Sequence, residues 1–263
     1  MALTKRNGKT ATAARGVPAF AAPASVLCLD LETGNAPQAA IDLADRVWKA
    51  PSNLRDPAKI DLARYQAQAK HREKSALLDG APIACVGAVV PMGATVFNGM
   101  DSVPYQIDRD VQAVGCGNER EMLLALREWL DKMTTQETLL VVFNGIEFDL
   151  PKLRVRYVAH KMSLPQVLRP AASSDGPQQP VYDVMRMFTR FYTVERHGQP
   201  YISQDEVCAR LELPRFDCGI TGADVPGLIE RKEYSVVLKK CRIDSVQLWM
   251  AYGRLSSTAE GLT

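Results

Sequence analysis

The run Val26-Leu27-Cys28-Leu29-Asp30-Leu31, set between Pro23 and Gly34, is apolar at every position but one. A strand with no polar face needs cover on both sides, and helices packed on either face of a sheet supply it. The order of segments that follows meets this demand. Residues 83–90 and 94–98 read as two strands joined through Pro91, Met92 and Gly93, a hairpin. Residues 119–133 place Met122, Leu123, Leu126, Trp129 and Leu130 at helical spacing, so one face of that helix packs on a sheet. Residues 138–143 form another buried strand, closed by the turn pair Asn144-Gly145, and a helix follows over 151–162. Residues 164–180, rich in Pro, Ser and Gln, read as a long surface loop, and residues 181–255 as mostly helical. The chain is therefore expected to be an α/β protein.

Residues 35–80 interrupt this pattern. They are polar, contain Pro37, Pro51 and Pro57, and end in a charged, helix-compatible run over 60–78. With few large apolar residues they cannot form a core of their own, so they read as a loop and helix inserted into one domain spanning 25–255. A composition of 46% hydrophobic and 24% charged residues excludes a wholly disordered chain. No stretch approaches the roughly 18 consecutive apolar residues of a membrane-spanning helix. Residues 1–24 hold Lys5, Arg6, Lys9 and Arg15 without an acid, a charge of +4 that leaves −2 for the rest of a chain whose total is +2. They read as a disordered basic arm suited to weak polyanion contact, and residues 256–263 as a flexible tail. The cysteines Cys28, Cys85, Cys116, Cys208, Cys218 and Cys241 form no C-x-x-C pair, and only His71, His160 and His197 accompany them. Reduced thiols in a cytoplasmic protein are expected, rather than a structural zinc site.

Three acidic positions stand out. In Asp30-Leu31-Glu32 the two carboxylates are two residues apart, hence on one face at the end of an apolar strand, where like charges repel unless a cation lies between them or the strand has reached solvent. Asp149 precedes Pro151 at the start of a helix, a place that also suits an ordinary first-turn acid. Asn144 at the preceding strand end and Phe148 beside the acid suit a cleft that receives a nucleotide. On the last helix Val237, Cys241, Asp244 and Leu248 follow i, i+4, i+7, i+11, which puts Asp244 inside an apolar stripe. A buried carboxylate needs compensation, from a metal ion or from Lys240 one turn earlier. Asp183 reads as a helix cap or as an acid close to the others, and Arg186, Arg190, Arg196 and His197 as residues able to line a phosphate track.

Asp30-Leu31-Glu32-Thr33-Gly34, the stretch from Asn144 to Asp149 with Pro151, and Cys241-Arg242-Ile243-Asp244 together resemble the three motifs of the DEDD superfamily of 3′-to-5′ exonucleases. The similarity is greatest to stand-alone bacterial and phage-like exonuclease domains of the B-family polymerase type, and it spans residues 25–255. It implies a ribonuclease H-like fold, a mixed central sheet flanked by helices with an insertion after the first strand. It also implies Asp30, Glu32, Asp149 and Asp244 as ligands of two Mg²⁺ or Mn²⁺ ions. The reaction implied is hydrolysis of single-stranded DNA or RNA from its 3′ end to nucleoside 5′-monophosphates, in replication, repair or phage metabolism. Thr33, Gly34, Asn144 and Phe148 then fall among the substrate-binding positions, with Phe148 stacking on a base. One departure is plain. Where these exonucleases carry Tyr four residues, or His five residues, before the last acid, this chain has Lys240 and Lys239. Lys240 is thus either a catalytic substitute or the mark of a catalytically weakened nucleic-acid-binding module.

Overall fold

The computed structural model describes residues 25–91, 93–108, 111–169, 180–191, 201–214 and 216–260. A seven-stranded sheet forms the centre, in the order β4-β5-β3-β2-β1-β6-β7. Its strands are β1 (Val26–Thr33), β2 (Ile83–Val90), β3 (Gly93–Asn98), β4 (Tyr105–Asp108), β5 (Val111–Gly115), β6 (Leu139–Val142) and β7 (Val181–Asp183). The hairpin β2–β3 is antiparallel, as is β1 against β2, whereas β1, β6 and β7 run parallel. The carboxyl ends of these three parallel strands therefore open at one edge, the usual position of a ligand site in such sheets.

Helices cover both faces, as the apolar first strand requires. Alternate residues Leu27, Leu29 and Leu31 of β1 join a core with helices α3 (Glu119–Met133) and α4 (Asp149–Ala159). Cys28 faces the other way, toward Leu248, Ala251 and Leu255 of the long last helix α8 (Tyr234–Glu260). Helix α3 presents the stripe expected of it, and Asn118 caps its start by accepting from the Glu121 N–H at 3.0 Å. Helices α5 (Val184–Phe191), α6 (Gln204–Arg210) and α7 (Val225–Glu230) complete the α8 side.

Several segments differ from the sequence pattern. The 35–80 stretch contains two helices, α1 (Gln38–Val47) and α2 (Pro57–Glu73), not a loop and one helix. Their anchor is a small apolar cluster of Ala36, Ile41 and Ala81, and α2 buries no residue, so hydrophobic periodicity gives no signal over it. Strands β4 and β5 lie in a stretch to which the sequence pattern assigns no element, and β7 opens a segment expected to be mostly helical. Helix α8 continues through Glu260 into the expected tail, because Leu255 is still buried in the core. The basic arm, most of the 164–180 loop, Arg196 and His197 lie outside the described residues. None of the six cysteines is in a disulfide, and no helix among the described residues is long and apolar enough to cross a membrane.

Candidate active site

The alternation of β1 decides where its acids point. Asp30 and Glu32 share the face of Cys28, the face over which α8 lies. Helix and sheet come unusually close there because β2 has a glycine opposite Asp30. A Cβ on Gly87 would stand 2.0 Å from Ser245 Oγ and 3.0 Å from the Cys241 carbonyl oxygen. This close approach brings α8 down onto β1, and one carboxylate oxygen from each of Asp30, Glu32 and Asp244 lies within 4.8 Å of the others.

Asp149 arrives from the third direction. The β6 strand ends in a turn in which Asn144 adopts φ 53°, a left-handed conformation that asparagine tolerates better than most residues. Gly145 follows, where a Cβ would stand 2.7 Å from Asp149 Oδ2. Asp183, at the end of β7, fixes the same turn: its carboxylate accepts from the Asn144 N–H at 3.0 Å and the Ile146 N–H at 3.4 Å, and it also accepts from the Arg186 N–H at 3.3 Å. It thus caps α5 and braces the turn that carries Asp149, two roles met by one side chain. Asp149 is not the N-cap of α4, a place held by Phe148. It is the first helical residue, and it is buried.

Electrostatics express the crowding. Burial raises the Asp30 carboxyl well above the ordinary carboxylate range, and Asp244, Glu32 and Asp149 push it further, against the pull of Lys240. Its Oδ2 is buried and has no hydrogen-bond partner. Asp149 is pushed up to about 8, first by burial, then by the charges of Glu32 and Asp183. Burial also raises Glu32 and Asp244, with Lys240 opposing. Lys240 Nζ donates to Glu32 Oε1 at 2.7 Å and to Asp244 Oδ2. Burial alone would depress this ammonium, but Glu32, Asp244 and Asp30 together hold it above its ordinary value.

The remaining expected residues are placed less directly. Thr33 is buried and its hydroxyl donates to the Ala76 carbonyl at 3.0 Å, while the Gly34 N–H donates to the Pro82 carbonyl at 3.0 Å. Thr33 is thus engaged with the inserted segment, and Gly34 with the residue just before β2. Phe148 is half-buried against the α3/α4 core, with Lys152 Nζ 5.7 Å from its ring centroid. Asn144 Oδ1 is buried without a partner. Arg186 pairs with Glu147 at 2.6 Å. Sequence patterns did not single out Gly87, whose value depends on a helix 150 residues later, nor Gln204, which donates to the Asp244 carbonyl at 2.7 Å. They also missed Phe216, an exposed ring lining a cavity of about 320 Å³ with Gln204, Thr221, Lys240, Asp244 and Gln247.

Comparison with known families matches residues 105–263 to one described as "Predicted 3'-5' exonuclease related to the exonuclease domain of PolB". The chain belongs to this family. The seven-stranded mixed sheet with helices on both faces is its ribonuclease H-like fold. The matched segment holds Asp149, Lys240 and Asp244 but not β1, and the pairing of β1 with β6 sets Asp30 and Glu32 beside it. No curated protein matches the chain.

Proposed function

We propose that this chain is a divalent-metal-dependent 3′-to-5′ exonuclease that removes nucleoside 5′-monophosphates from single-stranded DNA or RNA. The observation that carries the reading is the meeting of Asp30, Glu32 and Asp244 within 4.8 Å at the carboxyl edge of the parallel strands. Four carboxylates are an oxygen donor set suited to Mg²⁺ or Mn²⁺, and the partnerless Asp30 Oδ2 has the character of a ligand atom awaiting a cation. Asp30, Glu32, Asp149 and Asp244 would hold the metal, which in the enzymes the chain resembles means two ions. Bound divalent metal supplies Lewis acidity for the attacking water and charge neutralisation for the leaving 3′ oxygen. Asp183 holds the Asn144-Gly145 turn and through it Asp149. Thr33 and Gly34 act by tying the end of β1 to the inserted segment at Ala76 and to the start of β2 at Pro82, and Phe148 offers its open side to the terminal base.

One observation favours a second reading, a binding module without turnover. Lys240 stands where the resembling exonucleases carry the tyrosine that orients water. A 5′-labelled single-stranded oligonucleotide, incubated with Mg²⁺, Mn²⁺ or EDTA, separates the two. Stepwise shortening of the labelled strand with metal, lost in EDTA and in Asp30→Ala, is the expected result. Retention of the strand with no shortening in either metal overturns the enzyme in favour of the module.

A further inference from the structure

We propose that Lys240 is a tethered cation, its ammonium occupying one of the two cation positions of the carboxylate cluster, so that this chain binds a single divalent ion. The inference rests on the metal-dependent reading above and deepens it. Lys240 and Asp244 are one turn apart on α8, and the lysine is buried, in contrast to its exposed neighbour Lys239. Its Nζ reaches back to β1 to bond Glu32 Oε1 at 2.7 Å while also bonding Asp244 Oδ2.

Glu32 and Asp244 are therefore already bridged by a positive charge. A metal ion bridging the same two oxygens would have to stand where the ammonium stands, and two cations cannot share that position. Asp30 Oδ2, buried without a partner, Asp149 and the second oxygens of Glu32 and Asp244 remain for a divalent ion. Charge points the same way. With all four carboxylates ionised, as metal ligation requires, one ammonium leaves three net negative charges, which one divalent ion reduces to one, whereas a second ion would make the cluster positive. An ammonium is a compact point charge with three donors, so it can take over the neutralising role of an ion but cannot activate water as a Lewis acid does.

The test counts ions instead of turnover. The full chain is titrated with Mn²⁺ while the free ion is followed by electron paramagnetic resonance. One Mn²⁺ per native chain, rising to two in Lys240→Met or Lys240→Tyr, is expected. Two ions on the native chain, or one on a folded variant, overturns the inference and leaves the metal-dependent reading standing. No ion on the native chain takes that reading down as well. Should neither variant fold, the native count alone decides.

Discussion

The closeness of α8 to the sheet is the feature on which the acid cluster depends, and Gly87→Ala tests it. The added methyl carbon meets Ser245 Oγ at 2.0 Å, the Cys241 carbonyl oxygen at 3.0 Å and Ser245 Cβ at 3.1 Å. Rotating the serine hydroxyl away relieves only the first contact and breaks its 2.7 Å bond to the Cys241 carbonyl. The other two are relieved only if the helix lifts from β2. Overpacking of this kind costs about 1–3 kcal/mol, and the lost hydrogen bond adds about 1 kcal/mol. For a domain of this size each kcal/mol lowers Tm by about 2–4 °C, so a fall of about 5–15 °C in thermal unfolding followed by circular dichroism is expected. Adding Ser245→Ala to Gly87→Ala removes the closest contact but not those at 3.0 and 3.1 Å. It should restore part of the loss, with a coupling of about 1 kcal/mol in the double-mutant cycle. A Gly87→Ala protein within about 0.5 kcal/mol of the native one, or additive effects of the two changes, would refute the packing explanation.

Three further outcomes follow from the same geometry. Gly145→Ala places a methyl carbon 2.4 Å from Val142 Cβ and 2.7 Å from Asp149 Oδ2, and should cost about 1–3 kcal/mol in urea unfolding while weakening Mn²⁺ binding. Glu119 accepts from Arg156, His160 and the Ile83 N–H, which outweigh burial and lower its pKa below 4.5. Its stabilisation is present above that value and fades as pH falls through the lowered one, so the deficit of Glu119→Gln, about 2–4 kcal/mol at pH 7, should shrink in acid. Asp149 is the opposite case: raised by burial, Glu32 and Asp183 from 3.8 to about 8, it favours the folded state at low pH and loses that advantage as pH rises across this interval. Metal-free Asp149→Asn should therefore show a flatter stability profile between these pH values than the native chain, read from urea midpoints in EDTA.

Much of the site was legible because its acids break local rules. Asp30 and Glu32 interrupt an apolar strand, and Asp244 interrupts a helical stripe whose members Val237, Cys241 and Leu248 are all fully buried. Each violation shows within a few residues. Asp149 did not declare itself in this way, since an acid in the first turn of a helix is ordinary. Its burial comes from Gly145 and from the parallel pairing of β1, β6 and β7, none of which local spacing encodes. The same limit applies to β4 and β5. Gln106, Asp108 and Gln112 leave them without clean alternation, and they are strands because β3 offers β5 an edge on which to pair. Helix α2 buries no residue, so its charged, helix-compatible composition announces it but no apolar stripe fixes its start, which the Asp56 cap and Pro57 set.

The cluster also sets carboxylates where stability alone would not. A fold optimised for stability alone would not place Asp30, Glu32, Asp149 and Asp244 where burial and mutual repulsion raise all four, nor leave Asp30 Oδ2 without a partner. Apolar residues of similar size at these positions would be cheaper. Lys240 lightens that burden in the metal-free chain by bonding Glu32 and Asp244, but it does not reach every acid, and the remainder is concentrated on Asp30 and Asp149. The uncompensated cost of ionisation thus falls on the two residues that face the carboxyl edge from different elements, one from β1 and one from α4. That division follows from the architecture. The lysine is confined to α8 and can serve only the carboxylates within reach of its own helix, whereas a diffusible ion can join strand to helix across the gap between them.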